Sequence, residues 1–325
     1  IEVTGDPAVG IRHALAARGG RVIVTDVNPL SPAVHVGDRA YRVPLSSDPS
    51  YIDEIFAISR AEQVGIVVPT IDDELTQFGV SSPAFAEQGI AVLVSPPETT
   101  ALCNDKYGLC RRLDSVGVAA ATSYLPSEVP ASPTFPLFIK PRYGRGSVGA
   151  FVVRTPRELA FFRDYVEDPV VQDFLDGPEY SIDTFCDFSG RVVSVVPRQR
   201  VVIRAGVIDR GRTVKDQRLI DLALACASRI RFVGPVNIQC RVVNDRPVVF
   251  EINPRFSGGI PLTIAAGADF PAMALQMASG RRLRPSIGRF RDNLWMTSYE
   301  SSLFLTDDQL SLPSLTPALA VAEVA

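Results

Sequence analysis

The sequence predicts an α/β fold in its first part and antiparallel hairpins further along the chain. Apolar runs typical of strands alternate with helical segments over residues 1–94, a pattern that indicates a parallel sheet covered by helices on both faces. Residues 126–136 are rich in Pro and Ser, which is typical of an extended connector between domains. Beyond this connector, residues 137–153 and 236–253 each contain two strand-like runs joined by a loop or turn.

The composition is that of a globular protein with several domains. The chain has 325 residues, of which 46% are apolar, and this is enough for two or three domains with a substantial core. The net charge of −3 provides no basic surface for nucleic acid. No run of 18 apolar residues and no basic-then-apolar leader is present, so we expect neither a membrane span nor a signal peptide. Because Met is not the first residue, we expect the sequence to start inside a longer chain or after processing.

Cysteine and histidine usage narrows the possible chemistry. The five cysteines are odd in number and lack C-x-x-C spacing, which disfavours both a disulfide framework and a zinc site. We therefore expect reduced thiols in a cytoplasmic protein. With only two histidines, a Ser-His or Cys-His catalytic pair is disfavoured, and the chemistry is expected to rely on metal, Lys and Arg.

Residues 1–28 predict a strand, a helix and a second strand, the opening of a Rossmann-like domain. The glycine motif at residues 5–10, GDPAVG, lacks the middle glycine of a dinucleotide-binding loop and carries Pro7 where the backbone would contact pyrophosphate. An NAD-dependent enzyme is therefore disfavoured, and a plain α/β turn is the alternative.

Three acidic residues, Asp72, Asp73 and Glu74, follow a predicted strand at residues 64–70. They lie where the carboxyl ends of strands in open α/β sheets bind ligands. An acidic first turn of a helix explains the same three residues equally well.

The strongest candidate site lies in a strand at residues 248–253. Glu251, Asn253 and Arg255 follow one another at every second position, so they point to one face of the strand. A carboxylate and an amide oxygen suit Mg²⁺, which also keeps waters and phosphate oxygens as ligands. A guanidinium beside them can bind the same phosphates.

The register of this strand with residues 236–243 depends on the turn between them. A three-residue turn at residues 244–246 pairs Val243 with Pro247 and puts Gln239 opposite Glu251. A two-residue turn moves the polar side chains to opposite faces, so a metal site requires the longer turn or a β-bulge. The alternative to a metal site is a hairpin with a polar face that ends in a charged loop.

Asn237-Ile238-Gln239, followed by Glu-Ile-Asn-Pro-Arg-Phe-Ser-Gly-Gly at residues 251–259, resembles the metal-binding hairpin of ATP-grasp enzymes of the carbamoyl-phosphate-synthase-like branch. The resemblance implies that Glu251 and Asn253 hold Mg²⁺, with Mn²⁺ as a possible substitute, and that Gln239 assists. It also implies that Arg255 contacts the phosphoryl group that ATP transfers.

A glycine-rich loop between two strands can fold over phosphates and donate backbone N–H groups to them. Lys140 ends the first strand of residues 137–153 and leads into such a loop, which resembles the ATP-grasp flap. The resemblance implies that Lys140 binds the α- and β-phosphates and that Arg145, Gly146 and Ser147 cover the β/γ end. It also implies a phosphate contact for Lys106, at the start of a predicted helix that ends at residue 116.

A second set of nucleotide contacts is implied in a pair of strands joined by a glycine-bearing turn at residues 170–185. By the same resemblance, backbone groups around Gln172, Asp173, Phe174 and Leu175 pair with adenine, and Glu179 binds ribose. The alternative for Glu179 is an ordinary exposed acid of a hairpin. Arg204, which follows a basic strand at residues 192–202, is our choice for an anion contact in catalysis, against a plain surface charge.

The resemblance covers about residues 1–305 and implies α/β and α+β architecture: a Rossmann-like domain over residues 1–102, a two-lobed ATP-grasp domain over residues 103–305 with its lid at about 123–185, and an irregular tail over residues 306–325. It implies an ATP-dependent ligase that activates a carboxylate as an acyl phosphate and joins it to an amine. The expected partners are these small molecules, with neither nucleic acid nor membrane, and a homodimer is possible. The rivals are a carbamoyl-phosphate-synthase-like phosphorylating subunit and a non-catalytic ATP-binding module.

Overall fold

The computed structural model describes residues 20–144, 146, 148–204, 206–299 and 301–314. The predicted first strand and helix and the glycine motif at residues 5–10 lie outside the described residues, as do Arg145, Ser147 and residues 315–325. None of the described helices is long and apolar enough to cross a membrane.

The first part of the chain alternates short strands and helices, as the sequence predicts. Strand β1 pairs with β2 and strand β3 pairs with β4, and both pairs are parallel. Helices connect each strand to the next, and one core holds the inner faces of both pairs, including Ile23, Val67 and Phe78. The elements are β1 (Ile23–Asp26), α1 (Pro32–Val36), β2 (Arg39–Arg42), α2 (Tyr51–Ala61), β3 (Ile66–Val67), α3 (Asp72–Glu87) and β4 (Ala91–Val92).

Two consecutive helices, α4 (Pro97–Asn104) and α5 (Lys106–Ser115), lead to the rest of the chain. The predicted helix start at Asp105 is confirmed, because its side chain accepts a hydrogen bond from the N–H of Gly108. Helix α4 was not predicted from the sequence.

A four-stranded antiparallel sheet follows, with the order β5-β8-β6-β7. Helix α6 begins with a capped first turn, since the Thr155 hydroxyl accepts from the N–H of Glu158 and Pro156 is the first helical residue. The elements are β5 (Ser123–Tyr124), β6 (Leu137–Pro141), β7 (Phe151–Val153), α6 (Pro156–Tyr165) and β8 (Pro169–Asp173).

The largest sheet has six strands in the order β13-β12-β9-β10-β11-β14. Its last strand, β14, pairs with β11 in antiparallel orientation at one edge of the sheet. The elements are β9 (Glu179–Cys186), β10 (Val192–Arg204), β11 (Val207–Thr213), α7 (Gln217–Arg229), β12 (Gly234–Val243), β13 (Arg246–Asn253), α8 (Ile260–Ala265), α9 (Phe270–Ala278) and β14 (Trp295–Thr297).

The strands β8 and β9, which the sequence predicts as two strands joined by a glycine-bearing turn, belong to different sheets. β8 belongs to the four-stranded sheet and β9 pairs with β10 and β12 in the six-stranded sheet. Residues 174–178, called the hinge segment below, therefore cross from one sheet to the other. The proposed lid limit at residue 185 and the other domain limits stay predictions.

Helices and the first domain cover the six-stranded sheet on opposite faces. One face packs against α5 and α7 through Ile182, Val195 and Leu219. The other packs against α9 and β1 through Phe185, Val196 and Phe270. This second core joins the first domain to the large sheet and brings the start of α3 next to the end of β13.

The C-terminal residues of the described chain return to the first domain. The N–H of Arg42 donates to the carbonyl oxygen of Pro313 at 2.9 Å, and Leu312 packs against the core that holds β1. A 3₁₀ turn at Asp307–Leu310 precedes this contact. The predicted irregular tail is therefore docked on β2 as far as residue 314.

Candidate active site

The hairpin of β12 and β13 places four polar side chains on one face. Asn237 pairs with Asn253 and Gln239 pairs with Glu251, as the metal interpretation requires. The predicted three-residue turn is wrong, since Val243 pairs with Arg246 across a two-residue turn in which Asn244 and Asp245 have φ angles of 48° and 59°.

A bulge restores the polar register after this short turn. The pairing runs from Cys240 with Val249 to Gln239 with Glu251, so Phe250 is the one extra residue on β13. A bulge of this kind moves all following side chains to the other face of the strand. The alternative that the sequence left open, a bulge instead of a longer turn, is therefore the correct one.

The side-chain oxygens of Glu251 and Asn253 have no hydrogen-bond or ion-pair partner among the described residues. Asn253 is nevertheless 7% exposed, and Glu251 is partly buried. Polar side-chain atoms inside a protein are usually paired, so these unpaired oxygens are available to a ligand. Both face a small cavity lined by Asp72, Leu75, Thr100, Cys103, Asn104, Lys106, Gly144, Glu251, Asn253 and Pro254.

These donors fit Mg²⁺ better than a metal held by protein ligands alone. Within the described residues, no group of three or more His, Cys, Asp or Glu side chains could hold a metal ion. A cation at the hairpin would therefore have one carboxylate and amide oxygens from the protein, with its other positions left for water and phosphate. Mg²⁺ commonly has this mixture of ligands.

Lys140 is the penultimate residue of β6 and is buried beside the same hairpin. Its side chain is enclosed by the rings of Phe138 and Phe250, and its Nζ lies 3.4 Å from the carbonyl oxygen of Phe250. Burial lowers the pKa of Lys140, an effect that the negative charge of Glu251 opposes. A buried ammonium with so little compensation is a favourable site for an anion.

The loop after β6 is held against the start of α5. Arg142 forms a bidentate ion pair with Asp105, at 2.7 and 2.6 Å, and the Nζ of Lys106 donates to the carbonyl oxygen of Gly144 at 2.5 Å. Lys106 is buried and lines the cavity, so the structure brings it to the hairpin. Gly146 has a φ angle of 68°, a conformation that favours glycine.

Gln239 and Asn237 are already engaged with neighbouring side chains. The Oε1 of Gln239 accepts from Arg200 at 3.0 Å, and its Nε2 donates to Asn237. Asn237 in turn donates to Asp183 at 3.0 Å. This arrangement makes Gln239 a support for the hairpin in the present structure, whereas Glu251 and Asn253 have free oxygens.

Arg200, which the sequence did not single out, is the arginine of β10 that reaches the hairpin. Its side chain is 5% exposed and also contacts Glu179 at 2.9 Å and the carbonyl oxygen of Gly206 at 2.6 Å, while its Nε has no hydrogen-bond partner among the described residues. Burial lowers the pKa of Arg200, partly offset by the charge of Glu179. Arg204, our choice from the sequence, has a side chain that is 64% exposed and lies 3.7 Å from Asp209.

The alternation of side chains along a strand could have predicted the direction of Arg200, but it could not predict that of Arg204. Arg198 and Arg200 are two residues apart and share a face of β10. The register between β10 and β11 then shifts twice between Arg200 and Ile203. Because of these shifts, alternation cannot be extended to Arg204.

Arg255 bridges the hairpin to the first domain. Its Nη2 donates to Asp72 at 2.6 Å, and its Nε is buried without a partner. Burial alone would lower the pKa of Arg255, but the charge of Asp72 outweighs it and the pKa is raised. Of the acidic residues at the start of α3, Asp72 therefore belongs to the site, whereas Glu74 accepts from the N–H groups of Thr70 and Ile71 as a helix cap.

Charged side chains also form a buried network beneath the hairpin, called the Asp183 network below. Asp183 accepts from Arg198 at 2.8 and 2.9 Å, from Asn237 at 3.0 Å and from Thr263 at 2.5 Å. Burial alone would raise the pKa of Asp183, but the charge and hydrogen bonds of Arg198 lower it below its ordinary value. Arg198 also donates to Ser257 at 2.9 Å.

At the predicted adenine contacts, residues 172–175, the side chain of Gln172 is engaged within the protein, whereas some backbone N–H groups are available. The side chain of Gln172 points inward to Ser123 and Cys110, and the N–H of Asp173 donates to Thr122. Among the described residues, the N–H groups of Phe174 and Leu175 have no recorded partner. These two groups remain available to a ligand.

Two family models match the chain. "PylC-like, N-terminal domain" matches residues 9–93, and "ATP-grasp in the biosynthetic pathway with Ter operon" matches residues 165–300. Together they cover β1 to β4 and all six strands of the large sheet.

The chain is also similar to long synthases. It is 25% identical over 308 residues to the carbamoyl phosphate synthase large chain of Deinococcus radiodurans, covering 83% of this chain and 28% of that protein. It is 25% identical over 294 residues to the arginine-specific large chain of Bacillus subtilis, covering 82% of this chain and 27% of that protein. The chain therefore spans less than a third of the length of these relatives.

Solved structures share the fold. The biotin carboxylase domain of Hydrogenobacter thermophilus 2-oxoglutarate carboxylase, in complex with MgADP and bicarbonate, has a TM-score of 0.72 at 16% identity, covering 90% of this chain and 72% of that one. N5-carboxyaminoimidazole synthetase from Staphylococcus aureus, complexed with ADP, has a TM-score of 0.70 at 14% identity, covering 87% and 77%.

Proposed function

We propose that the chain is a member of the ATP-grasp superfamily and an ATP-dependent ligase that activates a carboxylate as an acyl phosphate and joins it to an amine. The observation that carries the proposal is the pair of side chains Glu251 and Asn253, whose oxygens have no partner among the described residues and face a cavity that Lys106 also lines. The buried ammonium group of Lys140 lies beside Phe250 of the same strand. Free oxygens and buried ammonium groups close to one another suit a nucleotide triphosphate with a divalent cation.

The cations of the site would bind and orient the phosphates. Lys140 is buried and only weakly compensated, so phosphate oxygens would stabilise its charge. Lys106, now bonded to Gly144, lies where it can exchange this carbonyl for a phosphate oxygen. Arg255 would stabilise charge on the phosphoryl group through its Nε, which has no hydrogen-bond partner among the described residues, while its Nη groups donate to Phe256 and Asp72.

Glu251 and Asn253 are the residues that would hold Mg²⁺, with Gln239 in support, and Mn²⁺ is a possible substitute. When bound, the cation neutralises charge that develops on the phosphates. Arg200, which supports Gln239 and has a buried Nε without a partner, replaces Arg204 as the anion contact of β10 in this proposal.

The hinge segment would bind the base and the sugar. The free N–H groups of Phe174 and Leu175 can pair with adenine, and the Glu179 carboxylate can accept from ribose hydroxyls. The flap residues Arg145, Gly146 and Ser147 would cover the phosphates. The five cysteines are free and buried, which supports a reducing, cytoplasmic setting for the reaction.

The similarity to carbamoyl phosphate synthase large chains favours one second candidate, an ATP-dependent phosphorylating subunit that works with other domains or chains. It would use small substrates such as hydrogencarbonate and ammonia instead of a larger carboxylate and amine. A homodimer is compatible with either candidate.

The test is phosphate release from ATP with Mg²⁺, measured over a panel of amino acids offered singly and in pairs, and with hydrogencarbonate and ammonia. Release that needs a particular pair, and that Glu251→Ala abolishes, would support the ligase and identify its substrates. Release with hydrogencarbonate alone would favour the second candidate. A protein that binds no ATP would contradict both.

A further inference from the structure

Arg241 makes two contacts with the hinge segment and one with Glu179, which follows it. None of the sequence motifs assigns Arg241 a role. It lies on β12, two residues after Gln239. Its Nη1 donates to the carbonyl oxygens of Leu175 and Gly177, at 3.4 and 3.2 Å, and its Nη2 lies 2.6 Å from the carboxylate of Glu179. One guanidinium therefore links the crossing between the two sheets to the acid that ends it.

The hinge segment lies directly on β12 at this point. The N–H of Val242 donates to the carbonyl oxygen of Pro178 at 3.1 Å. A Cβ atom on Gly177 would lie 2.0 Å from the carbonyl oxygen of Val242, so only glycine allows this approach. The position of the hinge segment is thus set by residues 241 and 242 of the neighbouring strand.

Two arginines fix the Glu179 carboxylate from opposite ends. Arg200 lies 2.9 Å from Oε1 and Arg241 lies 2.6 Å from Oε2. A carboxylate has about four acceptor sites. After both ion pairs form, acceptor sites remain, and their direction is fixed because the carboxylate cannot rotate.

We propose that Arg241 is a positioning residue that holds Glu179 and the hinge segment for recognition of the ribose 2′-hydroxyl, and so makes the site selective for ribonucleotides. The inference rests on the proposed ATP-dependent function. Arg200 cannot supply this positioning alone, because it does not contact the hinge carbonyls and is shared with Gln239 and Gly206.

The planar fork of arginine explains why this residue type stands at position 241. Its N–H groups point in fixed directions and reach two carbonyl oxygens and a carboxylate at once. A lysine has the same charge but no such fork. Lysine at this position should therefore keep the ion pair with Glu179 and lose the contacts with the hinge segment.

The experiment compares dissociation constants for ATP and 2′-deoxy-ATP, each with Mg²⁺, by calorimetry. We expect the wild-type protein to prefer ATP by about tenfold, the size of one hydrogen bond to a charged group. Arg241→Met should weaken ATP binding about tenfold more than 2′-deoxy-ATP binding, which removes the preference. Arg241→Lys should retain part of it. Arg246→Met, an exposed arginine of the same hairpin, is the control and should keep the wild-type ratio.

Several results would overturn the inference. A general structural role for Arg241 would weaken both nucleotides equally in Arg241→Met and leave their ratio unchanged. A wild-type protein that binds both nucleotides equally well would contradict the inference while the proposed function stands. A wild-type protein that binds neither would contradict the proposed function, and the inference with it. If Arg241→Met does not fold, the ratio in Arg241→Lys decides, because a wild-type ratio there contradicts a role for the fork.

Discussion

The Asp183 network and the Glu251–Asn253 pair lie on the same large sheet and are both partly made of acidic and amide side chains. In the network, Asp183 accepts four hydrogen bonds from three neighbours. At the end of β13, the oxygens of Glu251 and Asn253 have no partner among the described residues. Charge that is satisfied by the protein stabilises the fold, whereas unsatisfied oxygens at a cavity indicate a binding site.

Asn237 connects the two regions. It donates to Asp183 on one side and accepts from Gln239 on the other, while it pairs with Asn253 across the hairpin. The network therefore supports the strand that presents the free oxygens. Substitutions at the free oxygens should therefore lower activity more than stability. Substitutions in the Asp183 network should lower stability more than activity.

Glu251→Gln should cause the largest loss of activity. The substitution keeps the shape of the side chain and removes the only carboxylate of the pair. We expect phosphate release to fall at least about a thousandfold, because the cation that neutralises charge in the transition state would lose its carboxylate ligand. The free energy of unfolding, measured with denaturant, should change much less than in an Asp183 variant, because Glu251 has no hydrogen bond or ion pair among the described residues and acts on Lys140 only through its charge. A variant that unfolds more easily and keeps its activity would contradict the contrast.

Asp183→Ala should cause the largest loss of stability. It would leave the guanidinium of Arg198, which is 1% exposed, without its ion pair. Breaking a buried pair from one side costs about 3–5 kcal/mol in the free energy of unfolding. The measurement is denaturant unfolding without nucleotide. Adding Arg198→Met to this variant should recover part of the loss, and a double variant no more stable than the single one would count against the network.

Arg200→Met and Arg204→Met test the correction on β10. We expect kcat/KM for ATP to fall about 10- to 100-fold in Arg200→Met, the cost of losing a buried charge-assisted contact. In Arg204→Met the change should stay within about twofold, as for an exposed surface charge. Equal losses in the two variants, or a larger loss in Arg204→Met, would favour Arg204 as the anion contact, as the sequence predicts.

The lowered pKa of Lys140 predicts that ATP affinity and the free energy of unfolding change in opposite directions as pH rises. Burial lowers its pKa, so the ammonium loses its proton at a lower pH than an ordinary lysine. ATP affinity of the free protein should therefore decline as pH rises through this lowered pKa. Between the lowered pKa and the ordinary value of about 10.4, the unfolded chain binds more protons, so the free energy of unfolding should rise with pH.

Lys140→Met should remove both pH dependences, and Lys215→Met, an exposed lysine, should retain them. ATP affinity and denaturant unfolding are measured on all three proteins at a series of alkaline pH values. A wild-type affinity that does not change up to the pKa of ordinary lysine would contradict a lowered pKa.

The face of the hairpin could be predicted from the sequence because strand periodicity is local. Glu251 and Asn253 are two residues apart, and so are Asn237 and Gln239, so each pair shares a face in any β-strand. The register between the pairs was not determined, because it depends on whether the turn is long or the strand contains a bulge. The structure resolves this with one extra residue, Phe250.

Contacts between distant parts of the chain could not be predicted. Arg255 and Asp72 are 183 residues apart, and nothing local to either residue indicates its partner. The same holds for Arg241, whose neighbours alternate as in any half-buried strand. Arg204 was chosen over Arg200 because irregularities in strand pairing have no simple sequence signal.

The most direct test of the central claim is whether ATP binding depends on a divalent cation held by Glu251. Calorimetric titration with ATP is performed with Mg²⁺ and with a chelator, on the wild-type protein, Glu251→Gln and Arg204→Met. We predict that Mg²⁺ strengthens ATP binding by the wild-type protein and by Arg204→Met, and that Glu251→Gln loses most of this gain. An equal gain from Mg²⁺ in Glu251→Gln would show that the free oxygens of the hairpin do not hold the cation.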